Sequence, residues 1–196
     1  MHGKSYPLLQ IIPCAFSLVP ATQESPMEVI PKLTPTVHRA LKRGQLAYVH
    51  AREGLSLVLA LSEPGSGEKA FCFLPFDAGH PPRIWEDHLA GRTEPMLLVD
   101  SDWIVEAWPS EHSQPDSSPL RRTPGALVIT ETGPFLVTAE DQYGDALAVN
   151  LKTVEVDTLP RRGWPTLDWK IWASEKDRGS PNGRPLFTCK VKPTKA

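Results

Sequence analysis

Asp77, His80, Asp87 and His88 form the densest gathering of groups able to bind a divalent metal or to move protons. A mononuclear centre needs three or four convergent nitrogen or oxygen ligands, commonly histidine with carboxylate. The spacing here follows no ligand pattern with a mechanistic reason behind it. Asp77-Ala78-Gly79-His80-Pro81-Pro82 also has the composition of a turn, with Asp and Gly supplying the bend. The expectation is a surface loop with no metal and no cofactor. A small metal-dependent hydrolase using the 77–88 region stands as the alternative.

Other chemistry is thinner. Ser101 lies between Asp100 and Asp102 without a G-x-S-x-G elbow or a recognisable base. His50 and Glu53 flank a hairpin, and Glu111-His112 falls in a Pro/Ser-rich stretch. No P-loop, G-x-G-x-x-G or H-E-x-x-H occurs. Cys14, Cys72 and Cys189 are odd in number and far apart, which argues against a disulfide framework or a structural zinc site. Cys72 sits in an apolar run, where a free cysteine acts as a small hydrophobe. An enzyme is therefore the less favoured class.

Binding is the better-supported chemistry. Six tryptophans in 196 residues is a generous supply. Trp103 and Trp169 are expected in the core. Trp108 and Trp164 are expected at the surface, Trp164 directly after Arg161-Arg162-Gly163. Exposed Trp beside Arg suits a protein interface, where these residue types dominate the energetics. Trp108, Arg161, Arg162 and Trp164 are thus the candidate binding residues of a non-catalytic protein-binding or scaffold module. The same residue types suit stacking on single-stranded nucleic acid, although no nucleic-acid signature accompanies them. A single-stranded nucleic-acid binder using the basic C-terminal end is the further alternative.

The elements that must carry these residues repeat. Gly44-Gln45-Leu46-Ala47-Tyr48-Val49 lies over Gly125-Ala126-Leu127-Val128-Ile129-Thr130, and Leu57-Val58-Leu59-Ala60 over Leu136-Val137-Thr138-Ala139. Ala70 to Leu74 lies over Ala146 to Leu151, and Asp102-Trp103-Ile104-Val105 over Asp168-Trp169-Lys170-Ile171. A repeat of this length points to a duplicated structural unit. β-Branched and aromatic runs between Gly/Pro clusters predict strands near 45–51, 55–62, 69–75, 96–100 and 103–108. The second unit predicts strands near 126–131, 134–139, 146–151, 153–156, 167–173 and 185–191. A short helix is expected over 34–43, from Thr34 as cap and Pro35 at the first position. One or two helical turns are expected over 82–90. Pro181-Asn182-Gly183 is expected to turn.

The fold expected is all-β: two pseudo-repeated small β-barrel units of SH3-like size, with a single fused sandwich as the alternative. Residues 1–33 form a Pro-rich extended arm and 34–108 the first unit. Residues 109–124 form a Pro/Ser-rich linker, and 125–196 the second unit with a basic end. In the arm, Pro7, Pro13, Pro20, Pro26 and Pro31 break every period, while apolar residues between Leu8 and Val19 seek cover in grooves.

Composition bounds the rest. The 21 prolines are about twice the ordinary share of roughly 5%, and internal proline is incompatible with long helices. Net charge is -2, so global polyanion binding is not implied. Charge is nonetheless segregated: eleven acids against Arg121, Arg122 and Lys152 from 100 to 157, then nine Lys and Arg against three acids from 161 to 196. Mutual neutralisation in the fold is expected. The apolar 8–19 stretch is interrupted by proline and lacks a clean cleavage site, so a cytoplasmic protein is expected rather than a secreted one. No run approaches the roughly 18 apolar residues that cross a bilayer. A protein partner is expected, and nucleic acid only weakly.

Overall fold

Strand formation follows the apolar alternation, and the result is a mostly β chain. The computed structural model describes residues 32–51, 54–61, 69–77, 79–87, 95–99, 102–108, 119–139 and 147–189. The 1–31 part of the arm and residues 109–118 of the linker lie outside the described residues. Fourteen strands are described: β1 (Leu33–Val37), β2 (Leu46–Ala51), β3 (Gly54–Ala60), β4 (Lys69–Pro75), β5 (Arg83–Asp87), β6 (Pro95–Val99) and β7 (Ile104–Trp108) in the first half. The second half has β8 (Leu127–Thr130), β9 (Gly133–Val137), β10 (Leu147–Asn150), β11 (Glu155–Thr158), β12 (Trp164–Thr166), β13 (Asp168–Trp172) and β14 (Phe187–Thr188). They make three antiparallel sheets, ordered β1-β6-β2-β3-β4-β5, β11-β10-β9-β8-β12 and β14-β13-β7.

Two expected helical segments are strands. Thr34 to Val37 pairs with β6, Thr34 opposite Leu98 and Val37 opposite Pro95. Its β-branched residues favour the pleated conformation, and Pro35 is tolerated because β1 is an edge strand. Only His38–Ala40 turns, as a 3-10 segment. Arg83 to Asp87 pairs with β4, which places Trp85 opposite Phe71. Residues 88–90 lie outside the described residues. The single described α-helix, α1 (Glu175–Gly179), was not expected; the Ser174 hydroxyl caps it by accepting from the Asp177 amide at 3.1 Å. β12 was also unforeseen, and the expected strand over 185–191 contracts to Phe187–Thr188.

Three hydrogen bonds recur in the two halves. The Gly44 amide donates to the Ala60 carbonyl at 2.9 Å, and the Gly125 amide to the Val137 carbonyl at 2.8 Å. The Gln45 amide donates to Lys42 at 3.0 Å, and the Ala126 amide to Thr123 at 2.9 Å. The Trp103 indole donates to the Gly44 carbonyl at 2.7 Å, and the Trp169 indole to the Gly125 carbonyl at 2.8 Å. Both glycines have positive φ, 82° and 92°. One detail of the sequence alignment shifts. Ala60 and Val137 are equivalent in these bonds, so Leu59, not Leu57, is the counterpart of Leu136. The first hairpin is longer, and a two-residue slip keeps the same strand face.

Strand β7 of the first half pairs with β13 of the second, Val105 opposite Ile171 and Ile104 opposite Trp172. Matching Trp103 to Trp169 also matches Val105 to Ile171. Exchanging the halves turns the pair Ile104/Trp172 into Lys170/Glu106, which is itself a pair in the ladder. The ribbon therefore maps onto itself, as at a two-fold axis running between Val105 and Ile171.

The main core straddles this axis. Leu46, Leu57, Leu59, Cys72 and Leu74 of the first half join Leu127, Leu136, Val149, Trp169 and Ile171 of the second in one buried cluster. Alternate residues face away into smaller cores: Ala47, Val58, Ala60 and Phe71 on one side, Val128, Phe135, Val137 and Ala148 on the other. Each inner strand is thus apolar on both faces, which explains runs such as Leu57-Val58-Leu59-Ala60.

Leu59→Ala and Leu136→Ala are expected to destabilise the chain by about 2–5 kcal/mol each. Because the cluster spans both halves, urea titrations followed by tryptophan fluorescence and by far-UV circular dichroism should coincide in one transition. Two separated transitions would show that the shared core does not couple the halves.

Cys72 lies fully buried in the shared core, and burial pushes its thiol from an ordinary 9.0 up to about 12. Burial also raises the Tyr48 phenol. Well below pH 9 folded and unfolded thiols are both protonated and nothing changes. As pH rises through 9 the unfolded chain releases a proton that the folded one retains, so stability falls progressively until pH approaches about 12. Cys72→Ala should flatten part of that decline in stability measured by denaturant titration. In the native wild type an aromatic disulfide reagent should leave Cys72 unmodified on peptide mapping; rapid native modification would contradict its burial.

Candidate functional site

The sequence-predicted binding residues sit where the second half turns into β12. Arg161 and Arg162 are exposed, and Gly163 follows with φ 145°. A Cβ at Gly163 would stand 2.7 Å from the Val128 side chain and 2.8 Å from the Ile129 carbonyl. Only glycine lets the backbone pass this close to β8 in this conformation. That approach sets Trp164 opposite Ile129 at the start of β12, with half of its surface exposed.

Arg121, counted by sequence among the cations of the acidic stretch, comes to the same place. It belongs to a 3-10 turn over Pro119–Arg122, and its guanidinium donates to the Arg161 carbonyl. Arg122 beside it is exposed. Two Arg-Arg pairs, forty residues apart in the chain, are thereby neighbours. The dipeptides are visible in the sequence, but nothing in it shows that they meet.

Trp108 is tied to this region through its backbone. The Thr166 hydroxyl, two residues beyond Trp164, donates to the Trp108 carbonyl at 2.5 Å and accepts from the Asp168 amide at 3.0 Å. On the outer face of the β7–β13 ribbon, the Lys170 ammonium lies 5.1 Å from the Trp108 ring centre and 5.9 Å from that of Trp172. A cation over aromatic faces at this range is held by the ring quadrupoles. The Trp172 indole donates to Glu106 Oε2 at 2.7 Å. Lys170 also stands opposite Glu106 in the ladder, one instance of basic and acidic stretches meeting. Arg178, by contrast, pairs with Glu175 of its own segment. The surface therefore combines the exposed indoles of Trp108 and Trp164 with two placed cations, Lys170 and Arg121, and the exposed Arg122, Arg161 and Arg162.

The metal-ligand candidates are only partly described. Asp77 Oδ2 lies 3.0 Å from His80 Nδ1, and Oδ1 accepts from the Gly79 amide at 3.0 Å. These bonds close a turn with both side chains about half exposed. The Asp87 side chain and His88 lie outside the described residues, as do Ser101, Glu53, Glu111 and His112. His50 is exposed on β2 and Glu131 in a hairpin turn. Among the described residues, no three His, Cys, Asp or Glu side chains gather in metal-binding geometry. Among them, too, no helix is long and apolar enough to cross a membrane.

A second concave feature was invisible in the sequence. An open groove of about 860 Å³ runs along the seam between the halves. Gly44, Val99, Trp103 and Val105 line one side, and Leu151 and Val154 the other. Arg43 clamps the two sides: its guanidinium donates to the Thr153 carbonyl and to Glu155 Oε1, the latter at 2.9 Å. Val154 holds a φ of 56°, an outlier for a β-branched residue. The turn that imposes it is fixed by Asn150, whose side-chain oxygen accepts from the Lys152 and Thr153 amides at 3.0 and 3.3 Å. Specific hydrogen bonds thus shape the groove wall.

Compared with family models, curated proteins and solved structures, the chain matches none.

Proposed function

We propose that the protein is a non-catalytic, cytoplasmic protein-binding or scaffold module, built from two pseudo-repeated units of small-barrel, SH3-like size. Its contact surface is centred on Trp108, Arg161, Arg162 and Trp164, with Arg121 and Arg122 extending it and the Pro-rich arm as a second contact element. The observation that supports this reading is an exposed tryptophan immediately beside two arginines whose backbone is pinned by the Arg121 guanidinium and by the close pass at Gly163. An aromatic side chain and a pinned backbone lose little freedom on binding, and Trp and Arg are the side chains that anchor interfaces.

The test is a comparison of wild type with Arg161→Ala/Arg162→Ala/Trp164→Ala as baits in chemical cross-linking and affinity capture. A stoichiometric partner is expected to bind the wild type and to lose at least about thirtyfold in affinity for the variant, as removal of a hot spot implies. The unfolding midpoint should barely move, since these side chains are exposed. Equal affinity for both proteins would remove this surface from the interface.

A single-stranded nucleic-acid binder is favoured by the same arginines and indoles, and salt dependence separates the two readings. Anisotropy of a labelled single strand should show no retention near 0.15 M salt, where the screening length is about 8 Å. Submicromolar binding there, with a log–log salt slope near -0.7 per phosphate contact and loss in the same variant, would put nucleic acid first.

A further inference from the structure

The two Trp–Gly units have unlike surroundings. Around Trp169 the chain returns after α1 and lays β14 along the outer edge of β13. The Leu186 amide donates to the Ile171 carbonyl at 2.7 Å, and the Cys189 amide to the Trp169 carbonyl at 3.1 Å. The Phe187 ring packs on Trp169 and Phe76, with centroids 5.3 and 5.8 Å away. Cys189 Sγ reaches the Gly125 carbonyl at 3.5 Å. Trp169 is left only 1% exposed.

Exchanging the halves carries Gly125 onto Gly44, Trp169 onto Trp103 and Ile171 onto Val105. Those three counterparts line the open groove. Among the described residues, no strand pairs with the outer edge of β7, where symmetry would put the equivalent of β14. The groove is the twin of a site that is filled in the other half. Its filled twin holds an extended segment with a large apolar side chain against the indole.

We propose that this groove receives a strand from the chain's own N-terminal segment, which adds to the outer edge of β7 as β14 adds to β13. The place where that segment joins the described structure argues for it: Leu33, at the start of β1, pairs with Val99, a residue of the groove wall. Its chemistry matches as well. β14 is entered as Pro185-Leu186-Phe187-Thr188, and the arm contains Pro7-Leu8-Leu9-Gln10, the same order of proline, leucine, large apolar and polar residue. Twenty-two residues separate Gln10 from Leu33, a tether of up to roughly 70 Å. Strand addition would occupy an edge that otherwise templates pairing with other chains. The proposal bears on the binding reading only through the arm: a partner that takes the arm must first lift it from β7.

The test uses the purified full-length chain with no partner present. A photoreactive p-benzoylphenylalanine in place of Lys152, which is exposed and lines the groove, is irradiated and its adducts mapped by mass spectrometry. Cross-links within one chain, to residues 5–20, are expected. The same probe in place of Trp85, which stands opposite Phe71 on the strand face that turns away from the shared core, should not reach them. Links between two chains, capture of the segment from position 85 instead of 152, or no capture at all would overturn the proposal. In addition, Leu8→Asp/Leu9→Asp should speed amide exchange at Val105, whose amide faces the outer edge of β7, about tenfold while leaving β9 and the Ile104 amide, which faces β13, unchanged. Unaltered exchange at Val105 would equally overturn it.

Discussion

The ladder between β7 and β13 is the constraint on which everything else rests. Each half lends one strand to it, and near the start of each stands a tryptophan, Trp103 just before β7 and Trp169 second in β13, whose indole is anchored to the glycine carbonyl of its own half. The anchors orient the two sheets so that Leu46, Leu57 and Leu59 on one side and Leu127 and Leu136 on the other close over a common interior. The polar bonds at Gly44 and Gly125 are modest individually, but they decide which apolar surfaces meet.

The same ladder organises the outer surface. Its inner positions, Val105, Ala107, Trp169 and Ile171, belong to the core, so its outer positions must carry Glu106, Trp108, Lys170 and Trp172 together. Strand geometry alone thus groups two indoles, an acid and a base. From there Thr166 links the ribbon to β12, and Gly163 brings the Arg161–Arg162 segment against β8. The candidate contact surface grows outward from the ribbon rather than from a flexible loop.

Much of the strand pattern was legible because β-branched and aromatic residues between Gly/Pro clusters signal strands directly. The failures have separate physical causes. Thr34-Pro35 reads as a helix start, but pairing with β6 outweighs a cap that would secure only a short helix. Arg83-Ile84-Trp85 carries a strand signal that the neighbouring prolines obscured. The Leu57–Leu136 match was two residues out, and no hydrophobic pattern could reveal it, because a slip by one strand period preserves the buried face. Trp108 and Trp164 were legible as exposed from alternation and local polarity. The approach of Arg121 to Arg161 was not, since it depends on two segments forty residues apart. The groove depends on how the halves face each other, which periodicity does not encode.

The axis between Val105 and Ile171 has one more consequence. In a symmetric pair of identical chains every substitution occurs twice, so both copies of a cleft must be open or both closed. Here the two halves belong to one polypeptide, and a change on one side leaves its two-fold counterpart untouched. Phe187 packs against the indole of one cleft, while among the described residues no strand lies along the edge of the other. Covalent continuity has released the two sides from sharing a fate, so one can be sealed within the fold while the other keeps a free strand edge.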